Sequence, residues 1–191
     1  KSSKINMNYE ELLFKVVELW PKNKLVLYRL ANFYKTKQKY TNSIKVYENI
    51  LNNHKTTNHD LFLYASNLDK IGKWDKAKVL LLELIEKNPK DTYTLNYLSY
   101  RLALQDHELE LALKLIKKAL VLDPKNGYFL DTLGWVEFKR KKYNSAVYFL
   151  EKSVSILPKS SEVIDHLGDC YLKLNRKKEA VFKWKKALKY E

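Results

Sequence analysis

Small side chains return along this chain every 34 or 35 residues. They form two series that stay in phase: Ala31, Ala65, Ser99, Gly134 and Gly168, and Ser43, Ala77, Ala112, Ala146 and Ala180. This period is typical of stacked helical hairpins, in which each hairpin buries its apolar face against its neighbours. Small residues are needed where two helices cross so closely that larger side chains would hold the backbones apart. The sequence therefore predicts an all-α array of antiparallel helix hairpins.

The period divides the chain into five repeats of two amphipathic helices. Their bounds are 24–57, 58–91, 92–126, 127–160 and 161–191, and the segment 1–23 precedes them with the pattern of the second half of a further repeat. The second helices end in similar stop and start signals, Asn88-Pro89-Lys90-Asp91, Asp123-Pro124-Lys125-Asn126 and Leu157-Pro158-Lys159-Ser160. We expect the five repeats to form one continuous array.

The composition agrees with a helical protein and excludes some other classes. Hydrophobic residues make up 46% of the 191 residues, with only 4 Gly and 4 Pro. Cys170 is the only cysteine, so an intrachain disulfide is excluded, but the compartment stays open between the bacterial envelope and the cytoplasm. No apolar run approaches the ~18 residues of a membrane-spanning helix. Because the chain begins at Lys1 partway through a pattern, we expect a fragment or a processed form.

The net charge of +14 has two interpretations. Lysine-rich turns within the repeats could form an edge that binds RNA or an anionic membrane. Alternatively, the lysine excess reflects compositional drift, since Lys, Asn, Tyr and Ile are abundant throughout. Only four of the 36 basic residues are arginine, the side chain on which nucleic-acid readers rely for bidentate contacts. We therefore favour drift, and nucleic acid is the less favoured partner.

The residues around the small positions carry a family resemblance. The clearest stretch contains Ile164, Leu167, Gly168, Tyr171, Ala180 and Trp184, and further copies include Leu130, Leu133, Gly134, Tyr143, Ala146 and Pro158, and Leu61, Ala65, Gly72, Trp74, Ala77, Leu81 and Pro89. This pattern resembles the tetratricopeptide repeat over residues 8–191. The resemblance implies a right-handed superhelical solenoid that binds proteins without catalysis. The third repeat departs from the pattern, with Ser99 in the small position and one extra residue within 105–108.

The resemblance also implies which residues face the concave groove, namely those at the second, fifth, ninth and twelfth positions of a repeat. The predicted groove residues are Tyr28, Asn32, Lys35, Phe62, Ser66, Asp69, Tyr93, Asn96, Tyr100, Tyr128, Asp131, Trp135, Phe138, Asp165 and Asp169. Such a groove is aromatic in its middle and acidic at its C-terminal end. It predicts a peptide ligand with apolar anchors and a basic stretch near the fifth repeat. The alternative is that several of these aromatic residues only pack against neighbouring hairpins.

The repeats can be set beside two narrower groups within this family, which they resemble to different degrees. The segments 95–100, 131–135 and 165–169 resemble the last repeats of bacterial envelope proteins, some of which are lipoprotein adaptors that present substrates to periplasmic proteases. The clamp that grips a partner's C-terminal carboxylate needs Lys and Asn in the groove. Tyr28 stands where that lysine would be required, and only Asn32 fits. We therefore do not expect a clamp of that kind.

No catalytic or metal-binding pattern is present in the sequence. The four histidines, His54, His59, His107 and His166, do not stand at metal-ligand spacing from Cys170 or from one another. Asp165 and Asp169 are one turn apart and could share a cation, but a charged groove wall is the favoured interpretation. We predict no enzyme, no cofactor and no metal. The main prediction is a protein-binding scaffold, and the alternatives are an electrostatic binder and a structural segment of a longer array.

Overall fold

The computed structural model describes residues 8–190, and within them all regular structure is helical. Residues 1–7 of the predicted N-terminal segment and residue 191 of the fifth repeat lie outside the described part. The chain separates into two compact units that divide between Lys87 and Asn88. The predicted all-α class, built from antiparallel helix hairpins, is confirmed.

Between residues 8 and 87, the N-terminal unit contains five helices. They are α1 (Tyr9–Leu19), α2 (Lys24–Thr36), α3 (Tyr40–Asn53), α4 (Asn58–Lys70) and α5 (Trp74–Lys87). Helices α2 and α3 form one hairpin, α4 and α5 form the next, α1 packs on α2, and α3 packs on α4. The core of the first hairpin includes Leu27, Leu30 and Tyr47, with Leu13 of α1 packed beside them.

The C-terminal unit contains three hairpins. Their helices are α6 (Thr92–Leu104), α7 (Leu109–Leu122), α8 (Gly127–Lys139), α9 (Tyr143–Ile156), α10 (Ser161–Lys173) and α11 (Lys177–Ala187). Each second helix packs on the first helix of the next hairpin, α7 on α8 and α9 on α10. The first helices also contact one another, because α8 lies against both α6 and α10. Side chains from these three first helices therefore meet on one face.

Side chains cap most of the helix starts that the sequence predicted. Asp91 and Asn126 accept hydrogen bonds from the backbone N–H groups of the first turns of α6 and α8. Ser160 occupies the corresponding position of α10 but makes no side-chain capping bond. Thr57 and Asp60 form a reciprocal capping box at the start of α4.

All ten small residues of the two periodic series are buried. Where serine replaces Ala or Gly, its hydroxyl reaches the crossing helix. Ser99 Oγ donates to the carbonyl of Ala112 at 2.8 Å, and Ser43 Oγ donates to the carbonyl of Ala31 at 3.0 Å. These bonds require the helices of a hairpin to approach closely, which is the reason given for the small side chains.

Gly134 and Gly168 show how little room the crossings leave. A Cβ atom at Gly134 would stand 2.6 Å from Leu150 Cγ, and one at Gly168 would stand 2.6 Å from Trp184 Nε1. Glycine within a helix costs about 1 kcal/mol relative to alanine. Packing against the partner helix therefore explains both glycines.

A third periodic series, which the sequence did not reveal, lies in the turns within the hairpins. The residue at this position has a left-handed backbone in all five hairpins, with φ between 53° and 78°, at Gln38, Gly72, Asp106, Lys141 and Asn175. Gly72 is the residue type that this conformation favours most, and Asp106 and Asn175 belong to types that also adopt it. The turns at Gln38 and Lys141 therefore hold a side chain in a strained conformation. Glu108, in the turn that contains the extra residue, is also left-handed, with φ of 48°.

Candidate functional site

A histidine–aspartate pair lies at the centre of the face formed by α6, α8 and α10. His166 Nδ1 of α10 is 2.9 Å from Asp131 Oδ1 of α8, and both side chains are buried. The pair connects the fourth hairpin to the fifth. Asp131 is one of the predicted groove residues, and in the structure its carboxylate is engaged by His166 of the next hairpin.

The pKa of His166 is raised by its surroundings. Burial alone would lower this pKa, but the hydrogen bond to Asp131 and the negative charges of Asp131, Glu162 and Asp165 outweigh the effect of burial. The imidazolium form, which donates to Asp131, is therefore favoured to a higher pH than in a free histidine. The carboxylates around His166 thus favour a positive charge on this buried ring.

Three rings stack beside this pair. The imidazole of His166 is 4.1 Å from the indole of Trp135, and the indole is 4.7 Å from the ring of Phe138, with all three nearly parallel. Lys139 Nζ is 5.5 Å from the centroid of the Trp135 ring. Trp135 is only 8% exposed, so its main role is packing between α8 and α10. Its buried Nε1 has no hydrogen-bond partner among the described residues.

Tyr100 extends the cluster onto α6. Its ring centroid is 6.2 Å from that of His166, and its hydroxyl donates a hydrogen bond to Glu162 of α10 at 2.5 Å. Burial and the neighbouring carboxylate of Glu162 raise the pKa of Tyr100, so the phenol stays protonated. Tyr100 is half-buried and keeps part of its ring on the surface.

Two further carboxylates of α10 lie beside this cluster. Asp165 is exposed and makes no hydrogen bond or ion pair with any residue between 8 and 190. Asp169 is half-buried and accepts a hydrogen bond from Trp184 Nε1 at 3.2 Å. Burial and the charge of Asp165 raise the pKa of Asp169. A cation placed between these two carboxylates would relieve their repulsion.

The remaining predicted groove residues of this unit have varied surroundings. Tyr93 and Tyr128 are exposed, and Tyr128 lines a cavity of about 410 Å³ together with Ile156 and Leu157. Asn96 is half-buried, and its Oδ1 atom has no hydrogen-bond partner within the described residues. Within the described residues, no hydrogen bond or ring pair joins Tyr93, Tyr128 or Asn96 to the His166 cluster. A role for these residues in the same site therefore stays a prediction.

In the N-terminal unit, Tyr28 belongs to a polar network rather than to an open surface. Its hydroxyl donates to the carboxylate of Asp60, which also accepts a hydrogen bond from Lys24 Nζ at 2.9 Å. Asp60 is fully buried. Burial opposes its charge, but the bonds from Tyr28, Lys24 and Thr57 lower the pKa of Asp60 to about 2. This network connects the first hairpin to the second.

The other predicted groove residues of the N-terminal unit differ in how much of their surface is exposed to solvent. Asn32 and Lys35 are exposed, Phe62 and Ser66 are half-buried, and Asp69 is buried. The aromatic and acidic side chains grouped around His166 make the C-terminal unit the candidate site.

Comparisons with known proteins agree with the hairpin architecture. The tetratricopeptide repeat matches residues 61–91 and residues 26–52. A TPR repeat-containing protein of Methanocaldococcus jannaschii is 34% identical over 121 residues, which are 62% of this chain and 20% of that protein. A TPR repeat-containing protein of Pseudomonas aeruginosa is 33% identical over 86 residues, 45% of this chain and 14% of that protein. The chain therefore contains tetratricopeptide repeats, which are matched over residues 26–52 and 61–91.

Solved tetratricopeptide repeat structures share this fold. A thermophilic TPR protein from Thermus thermophilus has a TM-score of 0.77 at 21% identity, covering 88% of this chain and 91% of that one. A tetratricopeptide repeat protein from Parabacteroides merdae has a TM-score of 0.77 at 19% identity, covering 95% and 72%. The MamA fragment from Desulfovibrio magneticus RS-1 has a TM-score of 0.70 at 13% identity, covering 86% and 93%.

The similarity to these solved structures shows the fold and nothing more specific. The chain spans a fifth or less of the length of the two curated relatives that it matches. Their names state only that they contain TPR repeats. The resemblance to bacterial envelope adaptors therefore stays a prediction.

Two residues of the candidate site, His166 and Glu162, were not among those predicted from the tetratricopeptide pattern. In the sequence His166 stands beside Asp165, but the side chains of adjacent helical residues point apart. Its true partner, Asp131, precedes it by 35 residues, which is the repeat period plus one. A search for complementary charges separated by one period plus one residue would have found this pair.

The groups that could support other chemistry are few. Burial raises the pKa of Cys170 to about 12, so its thiol is not an activated nucleophile. Within residues 8–190, no three His, Cys, Asp or Glu side chains are grouped as a metal site. None of the helices described is long and apolar enough to cross a membrane.

Proposed function

We propose that this chain is a non-enzymatic scaffold that holds a peptide segment of a partner protein against the first helices of its C-terminal unit. Tetratricopeptide repeats serve in general as protein-interaction modules, and this chain carries them. The proposal adds the surface and the type of ligand. The surface consists of five residues, which we call the groove face: Tyr100, Phe138, Glu162, Asp165 and Asp169.

The observation that carries the proposal is the meeting of aromatic rings and carboxylates on this face, in a chain whose net charge is +14. Tyr100 bonds to Glu162. Asp165, which has no hydrogen bond or ion pair within residues 8–190, lies one turn further along α10. An aromatic side chain gives a large contact area at little cost in conformational entropy. A lysine or arginine of the ligand would pair with Asp165 and Asp169 while its apolar neighbour rests on Tyr100 and Phe138.

Two predicted groove residues support this face from behind. Asp131 is engaged by His166, and Trp135 is enclosed between the rings of His166 and Phe138. They fix the positions of α8 and α10 and so the spacing of the groove face. A rigid face loses less entropy when it binds.

The electrostatic alternative receives no comparable support. Two of the four arginines lie near the lysine-rich turns, and both are engaged in ion pairs. Arg140 binds Glu110 and Glu137, and Arg176 binds Glu179. The neighbouring lysines Lys141, Lys142, Lys177 and Lys178 are exposed. The basic edge therefore remains an outcome for experiment to decide.

The test begins with the partner recovered from the source cell by pull-down at low and high salt. Its affinity for the wild-type chain is then measured by titration calorimetry and compared with that of Tyr100→Ala and Asp165→Ala. We expect each variant to weaken binding by about tenfold or more, as truncation of a residue central to an interface does. Tyr148→Ala is the matched control, because Tyr148 is an exposed aromatic residue of the second helix α9.

Three results would contradict the proposal. Unchanged affinity in Tyr100→Ala and Asp165→Ala would remove the groove face as the binding surface. Complete loss of the partner at high salt would favour the lysine-rich edge. Recovery of no partner at either salt concentration would favour a structural segment of a longer array.

A further inference from the structure

The second helices of the C-terminal unit, α7, α9 and α11, carry matching rows of side chains. In each row the residues stand four apart, so they lie one above another on the same face of the helix. The rows are Lys114, Lys118 and Leu122 on α7; Tyr148, Lys152 and Ile156 on α9; and Phe182, Lys186 and Tyr190 on and just after α11. Successive rows are 34 residues apart, which is the repeat period. The three rows therefore occupy equivalent positions of three stacked hairpins.

These positions are open in hairpins that another hairpin covers. Helices α7 and α9 are each packed against the first helix that follows them, α8 and α10. Their lysines Lys114, Lys118 and Lys152 are nevertheless exposed, and the apolar members of the three rows are between 40% and 66% exposed. The rows therefore lie on the side of each second helix that faces away from a covering helix.

The row of α11 lines a cavity of about 400 Å³. Its walls are Phe182, Tyr190 and three lysines, Lys185, Lys186 and Lys189. The pKa of the neighbouring Lys183 is lowered, first by burial and then by the charge of Lys186. Positive charges are therefore crowded at this end of α11, and an anion among them would relieve their repulsion.

The carboxylates of the three helices do not neutralise the rows, because each is engaged elsewhere. Glu110 of α7 forms an ion pair with Arg140. Glu179 of α11 forms an ion pair with Arg176. Glu151 of α9 accepts a hydrogen bond from the hydroxyl of a tyrosine of α10. The rows themselves contain no acidic residue, so they present cations and apolar groups alone.

We propose that the three rows form a surface, the outer face, that binds the headgroup region of a membrane containing anionic lipids. Its cations are Lys114, Lys118, Lys152 and Lys186, and its apolar members are Leu122, Tyr148, Ile156, Phe182 and Tyr190. The outer face lies on second helices, whereas the groove face lies on first helices and the lysine-rich edge lies on turns. The inference therefore goes beyond the proposed peptide ligand and does not rest on it.

The aliphatic side chains favour a lipid surface over a nucleic acid. Bases of a single strand stack on aromatic rings, and Leu122 and Ile156 offer none. The cations of the outer face are lysines, whereas bidentate contacts to phosphates and base edges are made by arginine. A lysine stem and an aliphatic side chain can both enter the boundary between headgroups and acyl chains while the ammonium group stays in water.

The lysines favour a lipid surface over a protein partner. Lysine is depleted in protein–protein interfaces, where its ammonium group would lose water. An anionic bilayer attracts lysines that stay hydrated, and each one near the surface raises affinity about fivefold. Stable attachment of a peripheral protein needs this attraction together with a second signal, such as inserted apolar groups. The outer face supplies both.

The test measures binding of the full chain to phosphatidylcholine vesicles with and without phosphatidylserine, by co-sedimentation. We expect binding to the vesicles that contain phosphatidylserine, and we expect it to weaken as the salt concentration rises. Lys152→Gln and Lys186→Gln should each lower the affinity about fivefold, and together about 25-fold. Ile156→Ser and Phe182→Ser should each lower it about tenfold, because an inserted apolar side chain is lost.

Matched controls come from the same repeat positions in the N-terminal unit. Lys45 stands at the position of Lys114, and Val79 stands at the position of Phe182. Lys45→Gln and Val79→Ser should leave the vesicle affinity unchanged, and so should Tyr100→Ala, which alters the groove face. If Lys45→Gln weakens binding as much as Lys152→Gln does, the attraction follows net charge and the outer face is not the site.

Other results also overturn the inference. Weakening by Lys141→Gln and Lys177→Gln equal to that of the outer-face variants would assign the vesicles to the lysine-rich turns. Binding of a fluorescent single-stranded RNA that Lys186→Gln weakens, without binding to vesicles, would assign the face to nucleic acid. Self-association in sedimentation velocity that Phe182→Ser abolishes, again without vesicle binding, would assign it to a second copy of this chain. Absence of binding to phosphatidylserine vesicles at low salt would show that the face takes no membrane.

Discussion

Replacing Gly134 by alanine tests the crossing of α8 and α9 because two effects of opposite sign meet there. Alanine is favoured over glycine in a helix by about 1 kcal/mol. Against this, the new Cβ atom would stand 2.6 Å from Leu150 Cγ, short of the 3.4 Å at which ordinary contact begins. Overpacking of this kind costs about 1–3 kcal/mol. We therefore expect Gly134→Ala to lower the free energy of unfolding by about 0–2 kcal/mol.

The sign should reverse when Leu150 is shortened. Leu150→Ala alone costs about 2–5 kcal/mol, because it leaves a cavity in a fully buried position. In that background the atoms nearest to the new Cβ are gone, and only the carbonyl oxygen of Ala146, at 3.3 Å, stays close. Gly134→Ala should then raise the free energy of unfolding by about 1 kcal/mol. The coupling between the two substitutions is therefore about 1–3 kcal/mol.

Urea unfolding followed by circular dichroism measures all four members of this cycle. Gly168→Ala is the matched control, because its Cβ would meet Trp184 rather than Leu150. Its effect should be the same with or without Leu150→Ala. If Gly134→Ala shifts the unfolding midpoint equally in both backgrounds, the close crossing is not the reason for the glycine, and the explanation of the periodic small residues fails with it.

Three further predictions concern the turns and the buried charges. Lys141→Gly should raise the free energy of unfolding by about 1 kcal/mol and Gly72→Ala should lower it by a similar amount, measured by urea unfolding, because both positions have positive φ. Asp60→Asn should cost about 2 kcal/mol at pH 6. Since the pKa of Asp60 is lowered to about 2, that cost should vanish as the pH falls from about 4 toward 2. His166→Gln should be less stable than the wild type below pH 6.5. This difference in the free energy of unfolding should shrink as the pH rises through the raised pKa of His166, which an NMR-monitored titration measures.

Local rules in the sequence predicted much of the fold. The ten small residues could be found because a close helix crossing tolerates few side chains, and the caps at Asp91 and Asn126 could be found because few residue types satisfy the first turn of a helix. The left-handed conformation of the turn residues was not predicted, because Lys141 and Gln38 are not residue types that favour positive φ. At these turns the packing of the two flanking helices imposes the conformation, and the type of residue at the position does not indicate it.

The candidate site was predicted less well than the fold, and the reason lies in how repeats share side chains. Position rules assign each residue of a repeat to the groove or to the core, as if the repeat stood alone. Asp131 obeys the rule for a groove residue but is covered by His166 of the next hairpin, whereas Asp165 at the same position is exposed. What a position does therefore depends on the residue one period later, which the repeat pattern leaves free to vary. The surface that such an array leaves open to a ligand is therefore decided by these pairs.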